Sequence, residues 1–176
     1  SEKIQQENEA YRKRVLLDER NKTASKNLER VQKEQYGGVE ATINSEMERI
    51  NATLYSEKVN PPILHLEGNS YDFFTQDDTG TGIAYKGLVV YDLAIASLTK
   101  LPILVHDSLI LKQISDEAVE NILVRYMESG KQVIISLDKQ DSYSKRTAEI
   151  LEKQCVLHLA PNGRELFGRA WSRQET

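Results

Sequence analysis

Apolar residues are sparse over the first 60 positions and fall at helical spacing. Ile4, Tyr11 and Val15 step by seven and four, and Leu28 and Val31 by three. Val39, Ile43, Met47, Ile50 and Leu54 then step by four, four, three and four. A narrow apolar stripe on a charged segment predicts a helix of coiled-coil type rather than one buried on a broad face. The stripe is imperfect between Val15 and Leu28, where Asp18, Asn21 and Ser25 intervene, and Gly37-Gly38 predicts a kink or short break. A helix from Glu2 to Gln35 would be roughly 50 Å long at 1.5 Å per residue, too long to bury in a chain of this size. It must project or pair with a partner helix. Pro61-Pro62 ends the arm, because neither residue can donate a backbone hydrogen bond.

Beyond the prolines the pattern shortens. Ile63–Glu67 and Tyr71–Thr75 predict a hairpin turning at Asn69-Ser70. A polar, glycine-rich loop, Asp77-Asp78-Thr79-Gly80-Thr81-Gly82, leads into a helix over 86–99 with Leu88, Tyr91, Ile95 and Leu98 on one face. Residues 101–107 are an apolar run ending in Asp107 and predict a buried strand. Asp116 to Ser129 is amphipathic, with Ser115 as N-cap, Gly130 as C-cap, and Ala118, Val119, Ile122, Leu123 and Tyr126 as the apolar face. A second apolar strand ends in Asp138, a helix spans 144–153, and further strands are expected over 155–159 and 164–171, with Trp171 closing the core. Strand–helix alternation predicts an α/β fold, a mainly parallel sheet flanked by helices, over 61–176, preceded by a coiled-coil helical arm over 1–60.

Composition narrows the class. The chain has 176 residues, 39% of them hydrophobic, enough for one domain with a core or a smaller core plus an arm. Residues 1–60 hold 11 acidic and 11 basic side chains, and the whole chain carries a net charge of -4, so a chain-wide basic footprint for nucleic acid is absent. Cys155 is the only cysteine, which rules out a disulfide framework and a cysteine-based metal cluster and fits a cytoplasmic setting. No signal peptide opens the chain, no apolar run reaches the ~20 residues of a bilayer span, and no membrane partner is expected.

In a parallel sheet, ligands gather at the carboxyl ends of the strands, where Asp107 and Asp138 would stand. A carboxylate there is a hard oxygen ligand for Mg²⁺, and the helix after the glycine-rich loop would turn its first amides toward an anion. Each feature also has a plain structural explanation: an acid at a strand end caps a turn or helix, and a Gly-Thr-Gly makes a turn. Their order along the chain points to a phosphate and divalent-cation site.

The run YDFFTQDDTGTG followed by LPILVHDS, Tyr71 to Ser108, resembles an uncharacterised C-terminal domain family attached to SMC-like coiled-coil proteins, and the layout of the chain resembles the C-terminal lobe of SMC, RecN and RecF-type ABC ATPases. The resemblance implies that Asp107 matches the Walker B aspartate and holds Mg²⁺. It implies that Thr79, Gly80, Thr81 and Gly82 match the signature loop, which touches the γ-phosphate of ATP on the other head of a dimer. Asp138 would take the switch position, and both aspartates would be catalytic. Ser108 stands where the class has its catalytic Glu, and a serine hydroxyl is no effective general base; Asp138 or Glu117 would have to substitute. His106 takes a place the class fills with an apolar residue. No G-x-x-x-x-G-K-[ST] occurs in the chain, so the resemblance implies the C-terminal part of a longer protein whose P-loop lies in an N-terminal half. That half is the first expected partner. A homodimer through heads or coiled coil is the second, and DNA, in repair or defence, the third. ATP and Mg²⁺ belong to the full-length protein, with neither expected to bind this chain tightly.

Two rival functions remain. His65, His106-Asp107 and Asp138 follow the order H…HD…D of HD-type metal-dependent phosphohydrolases, although those enzymes place the pair on a helix and here it ends a strand. The other is a non-catalytic coiled-coil module with a degenerate ATPase lobe, which Ser108 favours. Lys86, Lys112, Lys139, Lys145 and Arg146 form either a basic face for DNA or an ordinary solvated helix surface.

Overall fold

The computed structural model describes residues 2–77, 80–137, 142–160 and 163–168, with side chains from residue 8 onward. The chain divides into two compact units, one up to Ile135 and one from Ser136. The first opens with α1, Glu2–Asn51, a single helix of 50 residues and therefore about 75 Å long. It runs unbroken through Gly37-Gly38, so the expected short break is not formed there. Once a helix is nucleated, two glycines cost it about 1 kcal/mol each, which the packed segment downstream offsets. That segment buries Ile43, Met47 and Ile50, joined by Leu54 just beyond, so this end of the stripe packs into the core instead of belonging to a projecting arm, while Val39 of the same stripe stays exposed. Upstream of it Tyr11, Val15, Leu17, Leu28 and Val31 stay exposed, so the arm projects.

Strands β1 (Pro62–Glu67) and β2 (Ser70–Thr75) form the expected antiparallel hairpin, with Glu67 opposite Ser70. The two-residue loop is Gly68-Asn69, and Gly68 takes the positive φ of +55° that lets the chain reverse so tightly. The outer edge of β1 is sealed by helix side chains. Asn44 donates from Nδ2 to the Leu64 carbonyl and accepts the Leu64 N–H at Oδ1, both at 2.8 Å, and Glu40 Oε2 accepts the Leu66 N–H at 2.9 Å. An exposed edge would otherwise invite pairing with another chain.

Helix α2 (Thr81–Leu98) packs against α1, the hairpin and the strand β3 (Ile103–His106). Its buried face is Lys86, Gly87, Val89, Val90, Leu93, Ala94 and Ala96; Leu88 and Leu98 are exposed. The face is rotated from the expected stripe because the helix is covered on more than one side, which selects its small residues. Gly87 lies where a Cβ would meet Pro62 and Phe73 at 3.4 Å, and Phe73 stands edge-on to Tyr91 at 5.7 Å between ring centroids.

Strand β3 (Ile103–His106) leads into the short helix α3 (Ser108–Leu111), then α4 (Asp116–Glu128) and strand β4 (Gln132–Ile135). Helix α4 buries all five residues of its expected face, and Gly130 follows with φ +66°. β3 and β4 pair in parallel, His106 opposite Ile135. The expected mainly parallel sheet flanked by helices is not formed: the described strands make two separate two-stranded sheets, and most described residues are helical. In the second unit, α5 (Lys145–Gln154) starts at an Ser144 N-cap that accepts the Thr147 N–H. The segment Cys155–Leu159 is no strand, with Val156, Leu157 and Leu159 exposed, and Ala160 and Arg164 form only an isolated bridge. Alternating apolar residues favour a strand only when a neighbouring strand is there to pair with. Trp171 and the end of the fourth expected strand lie outside the described residues.

Candidate functional site

Asp107 stands at the carboxyl end of β3, as expected. Its backbone is still extended, φ -87° and ψ 153°, and its side chain caps α3 by accepting the Ser108 N–H at Oδ1, 2.6 Å away. The Ser108 hydroxyl lies 3.3 Å from the same oxygen. The strand's pleat sets which way each side chain faces. Leu104 and His106 point into the protein, while Ile103 and Val105 face out, Val105 with 65% of its surface exposed. Alternation carried one residue further puts Asp107 on the outer side with Val105.

The glycine-rich loop ends at Gly80, which precedes α2 and receives the Ile83 and Ala84 N–H groups on its carbonyl. Gly80 is the N-cap and has no side chain of its own to offer. Gly82 has a packing reason to be glycine: a Cβ there would collide with the carbonyl oxygen of Gln113, just past α3. Asp107 opens α3 and Gln113 follows it, so Asp107 and the loop's end lie at opposite ends of α3. Thr79 and Asp138 lie outside the described residues. Glu117 receives the Ser56 N–H at 2.9 Å and so holds the 52–61 loop onto α4.

Among the described residues no cluster of three or more His, Cys, Asp or Glu side chains could form a cage. The Asp107 carboxylate is a hard oxygen donor of the kind a divalent cation takes. Among the described residues His65 and His106 have different polar partners. His65 lies 3.2 Å from Glu40 and opposite Asp72 in the hairpin, while His106 contacts Asp92 and Tyr126.

Two buried polar clusters were not foreseen from the sequence. His106 is 3% exposed; its Nε2 lies 2.9 Å from Asp92 Oδ2 on α2, and its Nδ1 meets the Tyr126 hydroxyl on α4. Burial, with the Asp92 charge adding to it, pushes the Tyr126 hydroxyl well above its ordinary pKa, so it stays a phenol and donates. The Asp92 carboxylate accepts from Nε2–H, and the Tyr126 hydroxyl hydrogen-bonds Nδ1, so one ring links Tyr126 to Asp92. Lys86 is fully buried, donating to Asn51 Oδ1 at 2.8 Å and to the Asn60 carbonyl at 3.1 Å, with the Tyr55 ring 5.8 Å away. It is neither part of a DNA-facing surface nor a solvated helix lysine. Lys139 of that expected basic face lies outside the described residues. The sequence did carry a signal for both clusters: Lys86 and Asp92 are the two charges within the otherwise apolar α2. A charge inside such a helix needs a buried partner or an exit to water.

The described residues thus define a mainly helical unit with two separate two-stranded sheets and a long projecting helix, and an acid stands at the end of the parallel strand pair, on the side where Val105 is exposed. Residues 48–171 match the family described as an uncharacterised protein conserved in bacteria (DUF2326), and the chain belongs to that family. The matched span starts in the last turn of α1, so the projecting part of the arm lies outside it. No curated protein matches the chain.

Proposed function

We propose that this chain supplies one half of a composite ATP-engaging head of the SMC/RecN-like type. In this reading Asp107 is its Walker B-like carboxylate, the 79–82 loop its signature-like element, and a P-loop half outside these residues its phosphate cradle. The observation that carries the reading is the facing of β3. Ile103, Val105 and Ile134 leave one side of the parallel pair apolar and exposed, and Asp107 extends that side. Parallel strands are found covered on both faces, and an acid at such a rim serves a site completed by whatever does the covering. The chemistry ATP would bring is phosphoryl transfer to water, with Mg²⁺ neutralising phosphate charge; the part of this chain is to present one carboxylate oxygen at the seam. DNA repair or defence is the setting the resemblance supplies.

The exposed, free Cys155 fits a reducing cytoplasm. α2 is the described helix long and apolar enough to cross a bilayer, yet Val89, Val90 and Leu93 are core residues, which marks it as an internal helix.

Ser108 favours a second reading, a head that engages nucleotide without turning it over. It occupies the first position of α3, where an acid would be needed, and Glu117 is tied to Ser56. One experiment separates the two. The chain joined to its P-loop half is assayed for ATP turnover and for ATP-dependent association, with Asp107→Ala alongside. A catalytic head loses turnover on the order of 100-fold in that variant. Association that depends on Asp107 without turnover favours the engaged, non-catalytic head. Turnover and association both indifferent to Asp107→Ala would overturn the assignment.

A further inference from the structure

The Tyr126–His106–Asp92 chain meets at the residue before Asp107. An apolar side chain at 106 would fill the same space without desolvating an imidazole. A buried polar chain adds little net stability over well-packed apolar residues. What it adds is geometry: apolar contacts let neighbouring elements slide, whereas a ring held at both nitrogens fixes distance and angle at once.

His106 closes β3, Asp92 sits in the middle of α2, and Tyr126 lies in the last turn of α4. Three elements are therefore pinned at a single side chain. The next residue supplies the carboxylate that caps α3, and α3 closes through Ile110 N–H on the Asp107 carbonyl and Lys112 N–H on the Ser108 carbonyl. A small rotation of the β3 end would turn Asp107 and unseat α3 together. Asp92 is the member of the chain that reaches water, its side chain 44% exposed.

We propose that His106 is a positioning residue: by fastening the end of β3 to α2 and α4, it sets the direction in which Asp107 presents its carboxylate and holds α3 in place. The link to function rests on the reading of Asp107 given above; the positioning itself does not.

Asp92→Asn, half-exposed and isosteric, keeps the fold while weakening the grip on Nε2, and Tyr126→Phe releases Nδ1. Backbone amide exchange in the 176-residue chain is the first readout. Ile110 and Lys112 should exchange about tenfold faster in each variant. Leu64 and Leu66, held by Asn44 and Glu40 on the hairpin, should not change, and Asp92→Glu should restore protection. A purely structural role would speed all slowly exchanging amides alike. That outcome, or unchanged Ile110 and Lys112, overturns the proposal.

The second readout is Mn²⁺ binding to the assembled head with a non-hydrolysable ATP analogue, followed by the spin resonance of free Mn²⁺. Asp92→Asn should weaken binding about tenfold, as for one lost charged hydrogen bond. If Asp107→Ala leaves Mn²⁺ binding unchanged, the Walker B-like reading fails, while amide exchange still decides whether His106 positions α3. If Asp107→Ala weakens binding and Asp92→Asn does not, the coupling to Asp107 is refuted.

Discussion

Gly82 and Gly38 are both helical glycines, and alanine should act on them in opposite directions. At 82 the start of α2 presses on the Gln113 carbonyl, a backbone atom that cannot rotate away, so Gly82→Ala should destabilise by roughly 1–3 kcal/mol, as overpacking does. At 38 nothing lies within 4 Å of the added methyl, and Gly38→Ala should stabilise α1 by about 1 kcal/mol through helix propensity alone. Urea unfolding midpoints and helical circular dichroism check the pair; equal effects at both sites would contradict the close approach at Gln113. The Gly-Thr-Gly motif shows how far single residues are legible. A glycine-rich entry to a helix was visible in the sequence, but the partner that makes Gly82 necessary is a carbonyl 31 positions away. Lys86 misled for a related reason: a lysine reads as solvent-facing, and only Asn51 and the Asn60 carbonyl, brought in by the end of α1, make its burial tolerable.

Elements were legible where one face meets one neighbour. Helix α4 has a single apolar stripe, and all five expected residues are buried. Helix α2 is covered from several sides, so its periodicity has no single preferred face and the stripe chosen from large residues alone was the wrong one. The parallel sheet failed for a similar reason: strand–helix alternation was present, but pairing needs neighbours, and among the described residues only β3 and β4 pair in parallel. The α1–β1 clasp was invisible, because Glu40 and Asn44 look like ordinary polar positions of a charged helix. It carries a pH signature. Glu40 titrates below its ordinary 4.5, first because the Leu66 N–H donates to its carboxylate, and also through His65, against some desolvation. Glu46, hydrogen-bonded to Arg49, is lowered too. A carboxylate whose folded pKa is depressed contributes stability that is present above about 4.5 and lost as pH falls through the folded value. The thermal midpoint should therefore drop on acidification below pH 4.5, and Glu40→Gln should drop less, having lost the contribution at neutral pH already. Identical acid slopes in the two proteins would show that the clasp is not electrostatic.

At the scale of the whole molecule, the uncovered side of β3 and β4 separates a chain that is complete in itself from one that works as a half. If these strands are at home in water, polar substitution on that side is neutral everywhere. If they are the inner wall of a composite head, it is neutral only until the covering half arrives. Val105→Thr with Ile134→Thr tests this, since threonine keeps the β-branched shape that suits a strand. In the chain alone, where both side chains are already largely exposed, the double variant should change unfolding free energy by less than about 0.5 kcal/mol. In association with the proposed P-loop half it should weaken binding about tenfold per site, the factor expected when burial of a valine-sized side chain is lost. Loss of stability in the isolated chain would mean that the face is already covered within it. Unchanged association would place the interface elsewhere and leave Asp107 a helix cap, with no part in a shared site.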